Sequence, residues 1–447
     1  MLLDNSHNLK SIVKFTFPLV LSELSRNLMF TINRIVLAHY SVDAMNAAAI
    51  SGNFVLVASF ALISVSQIST VFVGQYNGLK LFKKTARPAW QMIYLGVFSF
   101  AIYIPISLAT EYICISPDYY RHDAIIYQKI MIGFAGLPAI ICALSSFFVG
   151  RGQSFVIIVV VMFGALVDFI FSILFVFGIS EILPSMGVKG AALATVTSEL
   201  TQICILLFLF LKKENRETYN TSDFSFRKKL FFDCIKIGLP VSVGKILELL
   251  AWFTMLLLFS YASKDLATIE SIAISIFMIF IFFADGCGRA VSALAANLIS
   301  KNDIKGVSSL LKIFMKFNAI MGAIFAVPLI FFHEIIFLLL SGADGNIAAL
   351  RPEFEFVFNS LWIIIFADGI MYIIAGISTA GGDTKFQMWV ESSTAWFFVV
   401  LPMFIMYHTG TLTSIRVIYT ILSVRATMNA CIMYSRYCAQ KWVHKLV

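Results

Sequence analysis

Stretches of about 20 predominantly apolar residues, the length that crosses a bilayer as a helix, recur about twelve times between Ser11 and the C-terminus. Twelve such helices use up most of 447 residues. The longest polar connection, from Lys212 to Lys236, is too short to fold into a soluble domain. Composition agrees: 60% of the residues are apolar and the mean hydropathy is +0.89, against roughly 45–50% apolar in soluble chains. The reading is an all-α polytopic membrane protein with twelve transmembrane helices. The first apolar run has no Ala-x-Ala cleavage pattern after it, so it is expected to stay as a helix and not to leave as a signal peptide. Seven cysteines form no CxxC and fall mostly inside the runs, as buried thiols do.

The net charge of +8 is distributed by side. Lys and Arg crowd the N-terminal lead, the 74–89 connection (Lys80, Lys83, Lys84, Arg87), the 149–154 turn, the 212–236 connection, the 300–312 and 381–386 connections and the C-terminus. The alternate connections are poor in them. This asymmetry predicts that both termini and the central connection are cytoplasmic, in a bacterial inner membrane. Nucleic acid is not an expected partner, since recognition of phosphates wants a basic face on a folded domain. An enzyme is not expected either: there is no HExxH, nucleophile elbow or His–carboxylate pair at a span mouth. Gly381-Gly382-Asp383-Thr384-Lys385 lacks phosphate-loop spacing and reads as a tight turn. No cofactor is implied.

The chain repeats itself. A shift of 222 brings Pro18 onto Pro240, and a shift of 230 brings Gly152-Gln153-Ser154 onto Gly382-Asp383-Thr384. Residues 1–211 and 234–447 therefore read as two six-helix lobes joined by a 212–233 linker. Six is even, so the halves share one orientation and a pseudo-twofold axis runs along the membrane normal, with a cavity expected between the lobes at mid-depth.

Charges inside the apolar runs are costly, at least ~2.5–3.5 kcal/mol each on insertion scales, so they demand partners or water. The acids are Glu23, Asp168, Glu199, Glu248, Asp285, Asp368 and Glu391; the bases are Arg26, Lys129, Lys245, Arg289, Lys316 and Arg425. Three opposite pairs stand one helical turn apart, Glu23 with Arg26, Lys245 with Glu248 and Asp285 with Arg289, and share a face. Neutralisation within one helix is the expectation for Asp285 with Arg289. Under the 222 shift the first two pairs are charge-reversed copies, so an approach of helices 1 and 7 would instead pair Glu23 with Lys245 and Arg26 with Glu248 as an interlobe latch. Asp368 has no base within a turn, which suits a protonatable group. Met255 and Met371 are candidates for an adaptable substrate surface.

These motifs, taken together, resemble the multidrug and toxic compound extrusion (MATE) family, as a divergent bacterial member. The residues that carry the likeness are Pro18, the Gly74-Gln75-Tyr76-Asn77-Gly78 turn, the Gly187-Val188-Lys189-Gly190-Ala191-Ala192-Leu193-Ala194-Thr195 helix start, Gly238-Leu239-Pro240 with Glu248, and Asp368 with Gly376 and Gly381–Thr384. The resemblance implies an antiporter that exports a small organic compound or drug in exchange for sodium or protons, working as a monomer with membrane lipid and a small-molecule substrate as its partners. It makes Glu248 and Asp368 a cation-coupling pair and candidate sodium ligands. The family often has an acid in helix 1 where this chain has Asn33, and Asn then Asp four apart in helix 5 where this chain has Asp168 and Ser172. Asp168 is thus a third coupling candidate, while Glu23, Arg26, Asn33 and Lys245 are assigned to the cavity or gate. A lipid-linked sugar flippase of the same superfamily is the alternative; those often have extra helices and a strongly cationic cavity, whereas the charge here is mixed.

Overall fold

The computed structural model describes residues 9–114, 116, 118–179, 183–335, 351–412, 414–443 and 446–447, apart from the side chains of residues 26–28, 30, 53, 264, 265, 267, 268 and 271. Twelve long helices follow one another: α1 Leu9–Tyr40, α2 Val42–Gly78, α3 Arg87–Leu108, α4 Arg121–Gly150, α5 Phe155–Phe177, α6 Gly187–Phe210, α7 Lys228–Ala262, α8 Lys264–Ser300, α9 Ile304–Phe331, α10 Arg351–Ala380, α11 Thr384–His408 and α12 Ile415–Cys438. Among the described residues there is no strand, only one isolated bridge between Ile179 and Leu183. Eleven of the twelve are long and apolar enough to cross a membrane by composition. The exception is α1, whose 32 residues carry Lys10, Lys14, Glu23, Arg26 and Arg34.

The repeat is visible in backbone geometry. Lys80, after α2, and Asn302, after α8, stand at φ 58° and 60°, and Gly152 and Gly382, after α4 and α10, at 82° and 81°. Their hydrogen bonds match as well: Leu81 N to Tyr76 O at 2.9 Å and Asp303 N to Leu298 O at 3.0 Å, Gln153 N to Phe148 O and Asp383 N to Ser378 O at 2.9 Å each. A left-handed residue closes each helix by satisfying its last carbonyls, and only glycine takes it without strain at 152 and 382. Packing repeats in step, with α1 on α5 as α7 is on α11, and α2 on α4 as α8 is on α10.

One apolar core joins the lobes at the end that carries the 79–86 turn. It takes Phe15 and Leu19 of α1, Val71 and Phe72 of α2, Phe147 of α4, Ala293 and Ala296 of α8, and Ile377 and Ala380 of α10. Towards the other end the core divides. One cluster belongs to the C-terminal lobe alone, on α7 to α12 (Met255, Phe259, Phe277, Leu329, Phe358, Tyr419), and another to α1, α2 and α4–α6 (Leu37, Val55, Tyr127, Val176, Val188). The lobes therefore meet at the basic end and separate towards the opposite one.

Two amide clasps fasten the closed end. Gln75 Nε2 donates to Ala380 O at 2.9 Å, and Asn297 Nδ2 donates to Gly150 O at 2.9 Å, each crossing between lobes; Asn77 Nδ2 adds a 2.8 Å bond to Asn297 Oδ1. Gln75 and Asn297 are 222 apart and their acceptors 230 apart, so the clasps are copies related by the axis. Close approach is possible because Gly286 of α8 lies against Val20 of α1, where an added Cβ would come within 2.7 Å of the valine Cα. The linker is no loose tether: Trp90 Nε1 donates to Thr221 O at 2.9 Å, Gln91 Nε2 to Ser225 O at 3.1 Å and Arg227 N to Gln91 Oε1 at 2.9 Å.

Candidate functional site

A cavity of about 710 Å³, counting its part open to solvent, opens between the lobes above the closed end. The α2 residues Ser64, Gln67 and Thr70 form one wall, and α7, α8, α10 and α11 form the other. Five ionisable side chains with a place in the bilayer line it: Lys245, Glu248, Asp285, Arg289 and Glu391. Four of them are in ion pairs, and every pair crosses between helices. Lys245 Nζ reaches Asp285 Oδ1 at 2.8 Å, Arg425 Nη2 of α12 reaches Glu248 Oε1 at 2.9 Å, and Arg289 of α8 pairs with Glu23 of α1.

The intrahelical neutralisation expected for Asp285 with Arg289 is corrected by these pairings. Side chains one turn apart point the same way, and here that way leads to a facing helix that offers an opposite charge. The latch expected between α1 and α7 is corrected too, because α2 and α8 meet at the axis, with α1 packed on α8 and α7 on α2. An interlobe ion pair does exist at Glu23, with Arg289 in place of Lys245. The Arg26 half of that expectation lies outside the described side chains.

A second polar site is enclosed in the N-lobe. Asp168 of α5 is fully buried. Asn33 of α1 and Thr195 of α6 stand beside it, yet neither carboxylate oxygen makes a well-formed hydrogen bond. Those neighbours bond to one another instead: Ser172 Oγ donates to Asn33 Oδ1 at 2.7 Å and Asn33 Nδ2 donates to Thr195 Oγ1 at 3.0 Å. The small glycine- and alanine-rich start of α6 lets α5 and α6 pack closely there. A carboxylate ionised without partners in such a place is very costly.

The MatE family model matches residues 240–406, which takes in α11 to Met406 and all of α8 to α10. A probable multidrug resistance protein NorM of Photorhabdus laumondii is 21% identical over 410 residues, 90% of this chain and 88% of that one. The same-named protein of Thermotoga maritima is 24% identical over 241 residues; there the chain spans about half the relative's length, 51%. A solved structure described as the outward-facing conformation of a multidrug resistance MATE family transporter superposes with a TM-score of 0.84 at 15% identity, over 97% of this chain and 96% of that one. The chain contains a MatE region and has the fold of a MATE transporter.

The site residues drawn from sequence fall in three places. Lys245 and Glu248 line the cavity; Glu23 contacts Arg289 on the cavity wall; Asn33 and Asp168 meet in the N-lobe site. Asp368 lies beside Arg425 and Glu248, just off the cavity. Glu248 Oε1 accepts from Arg425 Nη2 at 2.9 Å, so a sodium ion at Glu248 and Asp368 would share the site with a guanidinium already bonded there. Met255 and Met371, at 1% and 3% exposure, pack in the apolar cores and do not line the cavity. Sequence reasoning missed Thr195, which stood unremarked in the α6 motif, and Glu270, buried with a 2.8 Å bond from Tyr419 Oη. It also missed Gln67 and Gln387, whose uncharged amides give no signal in an apolar run.

Proposed function

We propose that this chain is a secondary antiporter that exports a small organic compound across a bacterial inner membrane, as a monomer with both termini cytoplasmic, in exchange for a proton or sodium ion. The observation that carries the reading is the cavity whose walls come from both lobes and which is shut at one end by interlobe bonds. Two lobes that meet at one end and part at the other can exchange the open end by rocking, the arrangement alternating access requires. Asp168 supports the coupling role: held between Asn33, Ser172 and Thr195 on α1, α5 and α6, it alters the fit of three helices whenever its proton or cation comes or goes. Glu248 and Asp368 act with Arg425 as an electrostatic unit that supports the cavity. The flippase alternative calls for a strongly cationic cavity, and here Lys245, Arg289 and Arg425 are each held by a carboxylate.

The test is transport by purified protein in vesicles with proton and sodium gradients imposed separately, across cationic, neutral and anionic compounds. Uptake or release driven by one gradient, abolished by Asp168→Asn at equal protein levels, is expected. Movement indifferent to both gradients would overturn the antiport reading.

A further inference from the structure

Of the five charged side chains on the cavity wall, Glu391 of α11 alone has no opposite charge bonded to it among the described residues. Lys245 is near enough to feel its charge, but that ammonium bonds to Asp285 at 2.8 Å. Arg289 is held by Glu23 and Arg425 by Glu248. Glu391 is only 6% exposed and it lines the cavity, so what access it has is access from there. Its orientation is fixed from behind: Thr379 Oγ1 donates to Gln387 Oε1 at 3.1 Å, and Gln387 Nε2 donates to Glu391 Oε1 at 3.0 Å. All three residues line the cavity, on α10 and α11. The chain of donors aims one carboxylate oxygen at the amide and leaves the other to the cavity.

A nearly buried carboxylate with no basic partner is a liability in the empty protein, because the desolvation of the charge is offset by one neutral hydrogen bond. It becomes an asset when a cation arrives, since a charge-assisted hydrogen bond in this setting is about twice as strong as a neutral one. Across the cavity stand Ser64 and Gln67 of α2, in the other lobe. Both carry acceptor oxygens and no charge. A cation with several N–H donors would meet Glu391 with one and these oxygens with others; a cation shielded by methyl groups would meet none of them. We propose that Glu391, oriented by Gln387 and Thr379, is the recognition residue for a hydrogen-bond-donating cationic group, a primary ammonium or a guanidinium, on the transported compound. The proposal deepens the export reading above and rests on the same cavity.

Binding to purified protein in micelles tests it without any gradient, so that its failure is separate from a failure of antiport. Three probes built on one naphthyl ring suffice: naphthylmethylammonium, naphthylmethyl-trimethylammonium and naphthylmethanol. Wild type is expected to bind the ammonium most tightly. Glu391→Gln, close in shape, should weaken the ammonium by about tenfold or more, in line with the loss of one partner of a buried charged contact, and leave the alcohol within about twofold. Gln387→Met, which keeps the charge and removes its orientation, should weaken the ammonium by a smaller factor in the same direction and serves if Glu391→Gln does not fold. No preference of wild type for the ammonium over the trimethylated probe, or an equal loss of all three probes in the variants, would overturn the assignment.

Discussion

Arg425 shows how far an intramembrane charge can be from its partner in sequence. It is bonded to Glu248, 177 residues away, and no spacing rule reaches that far. The sequence revealed that both charges sit in apolar runs and must be compensated; it could not reveal by whom, because a partner one turn away on the same helix looks as good as one on a facing helix. Asp168 is the opposite case, legible as a site because an acid in the middle of a span has few structural excuses, and its neighbours Asn33 and Ser172 were in view. Two residue-level outcomes follow. Glu248→Gln leaves a guanidinium buried without its carboxylate and should destabilise the protein by about 3–5 kcal/mol, read as a lowered midpoint of thermal unfolding. Adding Arg425→Met, which removes the charge left alone, should restore much of that loss; equal or deeper loss in the double variant would mean the pair is not what holds α7 to α12.

Helix ends carried more information than helix middles. The motifs after α4 and α10 aligned in sequence at 230, and the left-handed residues after α2 and α8 reproduce the shift of 222 drawn from Pro18 and Pro240. A helix terminus must satisfy its carbonyls in one of a few ways, so its chemistry survives where the apolar middle drifts freely among Leu, Ile, Val and Phe. The amide clasps were not legible, although Gln75 and Asn297 lie near the ends of their helices, because a clasp needs a carbonyl from the other lobe. Each clasp bond is worth on the order of 0.5–1.5 kcal/mol. Gln75→Ala with Asn297→Ala should therefore loosen the closed end without unfolding it. A cysteine at Thr379 on the cavity wall, in a background without the seven native cysteines, should then react faster with a reagent supplied from the basic side. An unchanged rate would show that the apolar core closes that end unaided.

At the scale of the whole molecule, twelve helices and two lobes were legible because length, hydropathy and the even repeat constrain them strongly. Orientation is an expectation from the charge imbalance, and it is checked by impermeant labelling of cysteines placed at Asn215 and Thr411 in intact cells: Thr411→Cys should label and Asn215→Cys should not, with the reverse pattern inverting the topology. The interlobe pair of Glu23 and Arg289 has a consequence in time. The arginine follows the glutamate by more than half the chain, so at ~5–20 residues per second the ribosome supplies it on the order of 10–50 s after α1 has emerged. Over that interval α1 waits at the membrane for the interlobe counterion of Glu23, which has not been synthesised. The N-lobe by itself is then an unfinished object, and its α1 should resist extraction by alkaline carbonate poorly until α8 is added to the nascent chain.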